Sequence, residues 1–202
     1  RMLLLLENGD QKWLDVIERQ IAEIGVAIAI SRNEAIQYLN KAILEIQSSF
    51  IKTKVKIIGE IEQEAQNKTS IQLEEFFLHK LNNSRNLDAK SKRNLFGVHR
   101  SDFTANLLSK NNLSANLCST GEQKSILIAL TIARARINNF FKLPKAIMLL
   151  DEVVSHLDEK NKIELFKELK NINVQSFLTG TGEEIFSYFK DLKNGNVKFI
   201  QV

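Results

Sequence analysis

An uninterrupted apolar run, residues 146–150, ends on two adjacent acids, Asp151 and Glu152. Such a run predicts a strand buried on both faces, as in the parallel sheets of α/β proteins, whose ligands bind at the carboxyl ends of the strands. A nucleotide-hydrolysing site needs one carboxylate for the hydration shell of magnesium and a neighbour that polarises the attacking water. We predict the first role for Asp151 and the second for Glu152. The alternative is a core strand followed by an acid that caps a helix.

Strand and helix patterns alternate in the second half of the sequence. Strands are predicted over residues 103–107, 146–150 and 174–178, and helices over residues 126–141 and 159–170. This alternation predicts an α/β sandwich with a largely parallel sheet and flanking helices.

The first ninety residues have mainly helical periodicity. Apolar residues recur at spacings near three and four over residues 11–47, which predicts one long helix or a helix pair, and again over residues 70–81. Val55 and Ile57 alternate with polar residues and predict a short strand between these helices. The polar run 82–94 is predicted to be a loop. We therefore expect a helical arm over residues 1–94 and a second unit over residues 95–202.

Composition excludes several classes of protein. With 202 residues, 44% hydrophobic, the chain can bury the core of a soluble globular protein. No apolar run approaches the roughly 20 residues that cross a bilayer, so no membrane association is expected. The single cysteine, Cys118, cannot form an internal disulfide and fits a reducing compartment, which predicts the cytoplasm. The net charge of +4 is compatible with nucleic acid but is more often an ordinary surface.

The segment from Ser119 to Ser125 leads into an apolar helical run. Ser119 and Glu122 have the spacing of a capping box, so helix initiation explains part of the pattern. A capping box does not require Gly121, which permits close approach of a ligand to the backbone at the positive end of a helix. The hydroxyl of Ser119, the accessible backbone amide of Gly121 and the helix N-terminus together predict a site that senses a γ-phosphate.

A second polar segment, Ser155-His156-Leu157-Asp158, precedes the next predicted helix. By itself it is explained by a capping box between Ser155 and Asp158. His79, His99 and His156 show no metal-ligand spacing, and we assign catalysis neither to them nor to Cys118.

Three motifs in order resemble those of ABC-type ATPases of the chromosome-maintenance and RecF group. Residues 119–125 resemble the signature sequence, Asp151-Glu152 the Walker B acids, and residues 155–158 the D-loop. The nearest resemblance is to the RecF family, in particular its α-proteobacterial members, and it covers nearly the whole chain. It includes the Gly-Val-His-Arg-Ser-Asp segment at 97–102, the late strand at 177–181 and the opening helix.

Two positions depart from the usual patterns. Val98 stands where the RecF segment has proline, which alters the stiffness of a loop because proline fixes φ. Thr120 stands where most ABC-type signatures have their first glycine, a feature shared with RecF-like sequences.

The resemblance implies the C-terminal half of an ABC-type ATPase head with a helical arm. ATP and Mg²⁺ would bind between two protomers of an ATP-dependent homodimer, with Asp151 at the metal and Glu152 as the catalytic base. The nucleotide would contact Ser119, Thr120, Gly121, Glu122, Gln123 and Asp158. Implied partners are double-stranded and single-stranded DNA at gaps and the mediators RecR and RecO, in recombinational repair and the SOS response.

A phosphate-binding Walker A loop is absent from the sequence, because no glycine is followed five residues later by Gly-Lys-Ser/Thr. In the RecF family this loop lies in the N-terminal part, so we expect the chain to be a piece of an ATPase, completed by a separate N-terminal half if it is active. Two alternatives stay open. One is a fragment that is inactive or acts only by interaction, and the other is another chromosome-maintenance type head, which would need a long heptad coiled coil.

Overall fold

The computed structural model describes residues 1–7, 9–46, 52–141, 143–154, 157–182, 186–187 and 197–200. Its helices are α1 (Met2–Leu6), α2 (Gln11–Leu44), α3 (Glu60–Glu64), α4 (Ser70–Ser91), α5 (Thr120–Phe140) and α6 (Glu159–Ile172). Its strands are β1 (Thr53–Ile58), β2 (Asp102–Leu107), β3 (Leu113–Ser114), β4 (Met148–Leu150) and β5 (Ser176–Leu178). Short 3-10 helices lie at Val98–Arg100, Leu108–Lys110 and Ala115–Leu117. The chain has the mixed α/β fold that the sequence predicts.

The described strands form two small sheets. In the first, the order is β1-β2-β3, and β2 and β3 are antiparallel, with Asn106 opposite Ser114. In the second, β4 and β5 are parallel, with Leu149 opposite Phe177. The predicted parallel pairing is therefore found where the strand that carries Asp151 and Glu152 meets the late strand.

Helix α2 is one continuous helix of 34 residues, which decides between the single helix and the helix pair. Its most buried side chains recur every three or four residues, so they lie on one face of the helix. From the start of the helix to residue 29 these are Leu14, Glu18, Ala22, Val26 and Ala29. The predicted end of this helix, at position 47, lies outside the described residues.

The predicted loop over residues 82–94 is wrong for most of its length, because α4 continues to Ser91. A polar composition does not end a helix when its polar side chains find partners. Arg85 pairs with Asp15 and Glu18, and the carboxylate of Asp88 accepts a hydrogen bond from the hydroxyl of Ser84 at 2.7 Å. The helix ends at Lys92, whose backbone is left-handed with φ of 55°.

The chain forms two compact units. One comprises Arg1–Gln37 and Val55–Thr104, and the other comprises Tyr38–Lys54 and Ala105–Val202. These bounds differ from the division at residues 94 and 95, which stays a prediction about domains.

The first unit has an apolar core beside a buried ionic network. The core comprises Ala22, Val26, Ala29, Ile61, Leu73, Phe77 and Leu81. In the network, the buried guanidinium of Arg1 donates to Glu18 at 2.7 Å and to Asp88 at 2.6 Å. Burial acts to raise the pKa of Asp88, but hydrogen bonds from Arg1, Ser84 and the amide of Leu95 together lower it. The Asp88 carboxylate is therefore charged and fully paired inside the unit.

The second unit packs β4 against helical side chains on one face only. Met148 and Leu150 lie in a core cluster with residues of α5 and α6, among them Ile132, Leu165 and Phe166. Ile147 and Leu149 point the other way and are 62% and 73% exposed. The prediction of a strand buried on both faces is therefore wrong for the described chain, because successive side chains of a strand point to opposite faces and only one face is packed.

Among the described residues, no helix combines the length and the apolar character needed to cross a bilayer.

Candidate functional site

The start of α5 has the capping box that the sequence predicts. The amide of Ser119 donates to the carboxylate of Glu122 at 2.9 Å, and the amide of Glu122 donates back to the hydroxyl of Ser119 at 3.4 Å. Thr120 and Gly121 follow as exposed residues of the first turn. A Cβ at Gly121 would have no heavy atom within 4 Å, so this turn is open to a ligand. The turn therefore offers backbone amides and a helix N-terminus to an anion.

A lysine that the sequence reasoning missed contacts this turn. The Nζ atom of Lys110 lies 2.7 Å from Oε1 of Glu122, whose Oε2 also accepts a hydrogen bond from the Ser119 hydroxyl at 2.9 Å. These contacts, with Lys110 as the largest cause, lower the pKa of Glu122 to about 2. The Ser119 hydroxyl, predicted to contact phosphate, thus donates to a carboxylate in this structure. No local spacing reveals this pair, because the two residues belong to separate elements.

Gln123 and Cys118 have structural contacts at the same helix start. The Nε2 atom of Gln123 donates to the carbonyl oxygens of Ala115 at 2.9 Å and of Cys118 at 3.3 Å. The thiol of Cys118 is buried and lies 3.5 Å from the carbonyl oxygen of Ser114. These contacts fix the short 3-10 helix before α5 to the first turn of α5.

Asp151 and Glu152 lie directly after β4 and share one partner, Thr179. The Thr179 hydroxyl donates to Oδ1 of Asp151 at 2.5 Å and accepts a hydrogen bond from the amide of Glu152 at 2.9 Å. Thr179 follows β5, and its own amide donates to the carbonyl oxygen of Leu150 at 3.2 Å. The parallel pairing of β4 and β5 thus brings the late strand to the two acids. No local pattern in the 177–181 segment marks Thr179 as a partner of these acids, because the contact depends on strand pairing.

The backbone of Glu152 is left-handed, with φ of 49°. This conformation is uncommon for a residue with a side chain and is found more often at functional sites than elsewhere. Both acids are exposed at the end of the sheet. The arrangement can present one carboxylate to a hydrated cation and a second one to a water molecule.

Asp158 is the N-cap of α6, and its carboxylate accepts a hydrogen bond from the amide of Asn161 at 2.7 Å. The predicted capping box with Ser155 as the N-cap is therefore wrong, because the helix begins one residue after Asp158. Ser155 and His156 lie outside the described residues, so the D-loop stays a prediction.

The segment at 97–102 is held by two charged side chains of the first unit, the buried Glu62 and the partly exposed Arg32. Glu62 accepts a hydrogen bond from the hydroxyl of Ser101 at 2.7 Å, and Arg32 donates to the carbonyl oxygen of Val98 at 2.7 Å. The Nε2 atom of His99 lies 2.9 Å from the carbonyl oxygen of Asn94. These contacts explain the segment structurally and involve none of the predicted nucleotide-contacting residues.

The first turn of α5 and the two acids after β4 provide some of the groups that ATP and magnesium require. Magnesium is bound by one or two carboxylates together with substrate phosphates and water. The exposed Asp151 can provide one such carboxylate. The described residues contain no group of three or more His, Cys, Asp or Glu that could hold a metal ion. The open turn at Gly121 fits a phosphate group. The cradle for the remaining phosphates would have to come from elsewhere.

No protein-family model matches the chain. Among curated proteins, it is 36% identical to the DNA replication and repair protein RecF of Mesorhizobium japonicum over 91% of this chain and 49% of that protein. It is 37% identical to RecF of Brucella abortus over 98% of this chain and 51% of that protein. It is 38% identical to RecF of Rickettsia prowazekii over 89% of this chain and 49% of that protein.

Two solved structures share the fold. Both are described as the recombination mediator protein RecF in the RecFOR pathway, one with ATP and one as RecF-ATPrS. Their TM-scores are 0.73 and 0.71, at 24% and 23% identity, over 90% and 91% of this chain and 49% of each solved chain. The chain spans about half the length of the curated relatives it matches. Over nearly its whole length, the chain is thus a homologue of the RecF proteins.

Proposed function

We propose that this chain supplies one half of a RecF-type ATPase that acts in DNA replication and repair. The observation that carries the proposal is the cluster after β4, where Asp151 and Glu152 are held together by Thr179. Helix capping alone would not require two acids at the end of a parallel strand, one of them with a left-handed backbone. The identity of 36% and 38% to two RecF relatives supports the same function.

In this proposal the nucleotide is ATP with Mg²⁺. Asp151 holds the magnesium through water, and Glu152 acts as the base that positions the attacking water. The open first turn of α5 contacts the γ-phosphate of an ATP held by a second protomer. The contacting residues are Ser119, Thr120, Gly121, Glu122 and Gln123, and Asp158 contributes from the D-loop. ATP binding then closes a homodimer, and hydrolysis opens it.

The proposed partners are DNA and recombination mediators. The homodimer closes on double-stranded DNA beside single-stranded gaps and works with RecR and RecO in the cytoplasm, in recombinational repair and the SOS response. The excess of 28 basic over 24 acidic side chains is small, so we expect DNA binding by this chain alone to be weak and sensitive to salt.

A second polypeptide half is part of the proposal. Parallel sheets are normally covered on both faces, yet Ile147, Leu149 and Phe177 expose large apolar side chains on one face of β4 and β5. The sequence also contains no Walker A loop. An N-terminal half of the RecF type would provide both a cover for this face and the missing phosphate cradle.

The test is reconstitution with the Walker A half of a RecF relative, such as that of Brucella abortus. We expect the chain alone to bind ATP weakly in calorimetry, and the mixture to dimerise with ATP in light-scattering measurements and to hydrolyse ATP slowly. A matched half with its Walker A lysine replaced by alanine is the control. Micromolar or tighter ATP binding by the chain alone would contradict our assignment of the site.

A second candidate function is a fragment that acts only by interaction. The missing Walker A loop favours it for the chain by itself. If no N-terminal half restored ATP-dependent association, this candidate would replace the first.

A further inference from the structure

We propose that Thr179 is a positioning residue that orients both acids after β4. The inference rests on the proposed function and adds a residue to its site. A threonine hydroxyl is at once a donor and an acceptor, and Thr179 uses both capacities here. It donates to the carboxylate of Asp151 and accepts from the amide of Glu152.

The position of Thr179 follows from strand register. Leu150 lies opposite Leu178 in the parallel pair, so Thr179, the residue that follows β5, reaches the level of the acids that follow β4. The amide of Thr179 extends the pairing with a hydrogen bond to the carbonyl oxygen of Leu150. The hydroxyl is therefore attached to backbone that is itself fixed to β4.

The two hydrogen bonds of the hydroxyl have different consequences. The donated bond, 2.5 Å long, holds one oxygen of Asp151 and so sets the orientation of its carboxylate. The accepted bond satisfies the amide of Glu152, whose left-handed backbone determines where that side chain begins. One side chain from the neighbouring strand thus couples the proposed metal-holding acid to the proposed base. Supporting hydrogen bonds of this kind hold functional carboxylates in place.

The experiment compares Thr179→Val and Thr179→Ser in the 202-residue chain. Valine keeps the shape and removes the hydroxyl, whereas serine keeps both hydrogen-bonding capacities. The readouts are the exchange rate of the Glu152 amide, followed by NMR, and the broadening of the Asp151 and Glu152 signals by Mn²⁺ as a probe. Thr131→Val is the matched control, because the Thr131 hydroxyl donates to the carbonyl oxygen of Leu127 within α5.

We expect the Glu152 amide to exchange roughly fivefold faster in Thr179→Val, the factor that the net effect of one neutral hydrogen bond corresponds to. Exchange of the α6 amides should stay unchanged, and Thr179→Ser should restore the slow rate. Mn²⁺ broadening should weaken in Thr179→Val and persist in Thr179→Ser and Thr131→Val. Unchanged Glu152 exchange in Thr179→Val would overturn the proposal, as would faster exchange that serine does not restore.

The two readouts separate this inference from the proposed function. Amide exchange needs neither metal nor nucleotide, so it tests the positioning by Thr179 alone. If Mn²⁺ broadened none of these signals in the unmodified chain, the metal-holding role of Asp151 would fail, and the exchange rates would still decide whether Thr179 holds the two residues.

Discussion

The ammonium group of Lys110 lies 2.7 Å from the carboxylate of Glu122, which also receives the hydroxyl and the amide of Ser119. The ion pair with Lys110 and the two hydrogen bonds from Ser119 together lower the pKa of Glu122 from its ordinary 4.5 to about 2, with Lys110 as the largest cause. The same ion pair raises the pKa of Lys110. Because the folded pKa is depressed, ionised Glu122 favours the folded state above pH 4.5, and this contribution is lost as the pH falls toward 2.

We therefore predict that Lys110→Met raises the pKa of Glu122 by removing the largest cause of its depression. A carboxyl ¹³C NMR titration measures this directly. Lys124→Met is the matched control, since Lys124 is exposed on the same helix as Glu122 and is not among the groups that shift the pKa of Glu122. An unchanged Glu122 titration in Lys110→Met would show that Ser119, rather than the lysine, sets this pKa.

Replacement of Asp88 should destabilise the first unit. The Asp88 side chain is fully buried, and Asp88→Ala would leave the buried guanidinium of Arg1 without one of its two carboxylates. Breaking a buried ion pair in this way costs about 3 kcal/mol of the free energy of unfolding. Urea unfolding measures the loss, with the exposed Glu23→Ala as the control. A loss below about 1 kcal/mol would mean that Glu18 alone compensates for Arg1.

In the reconstituted complex, Glu152→Gln should keep ATP binding and dimerisation but slow hydrolysis by at least roughly a hundredfold, because glutamine cannot act as the base for the attacking water. ATP-bound dimers should then accumulate in light scattering, while a phosphate-release assay reports the rate. Hydrolysis at the unmodified rate would show that Glu152 is not the base.

Ser119→Arg should act at an earlier step. A bulky cation at the N-cap of α5 would obstruct the open turn beside Gly121 and prevent closure on the γ-phosphate. We expect ATP-dependent dimers to be lost, whereas Ser119→Thr, which keeps the capping hydroxyl, should retain them. Dimers of undiminished stability in Ser119→Arg would remove the start of α5 from the proposed interface.

The sequence by itself determined the features that depend on neighbouring residues. Helix periodicity is a local property, so it was sufficient to predict α2 and α6. The capping box of Ser119 and Glu122 spans four residues, and the structure confirms it. The acids after β4 could be located for the same reason, since an apolar run and the residues that follow it are contiguous.

Only the tertiary structure decided the features that join distant parts of the chain. The hydroxyl of Thr179 contacts Asp151 across 28 positions, and Lys110 reaches Glu122 from another element. Arg85, in the polar stretch that the sequence predicts to be a loop, forms ion pairs with Asp15 and Glu18 of α2, and α4 continues through this stretch. The apolar residues of β4 likewise do not indicate which face of the strand packs against the helices. Such contacts depend on strand register and helix placement, which the whole fold sets and which no local pattern records.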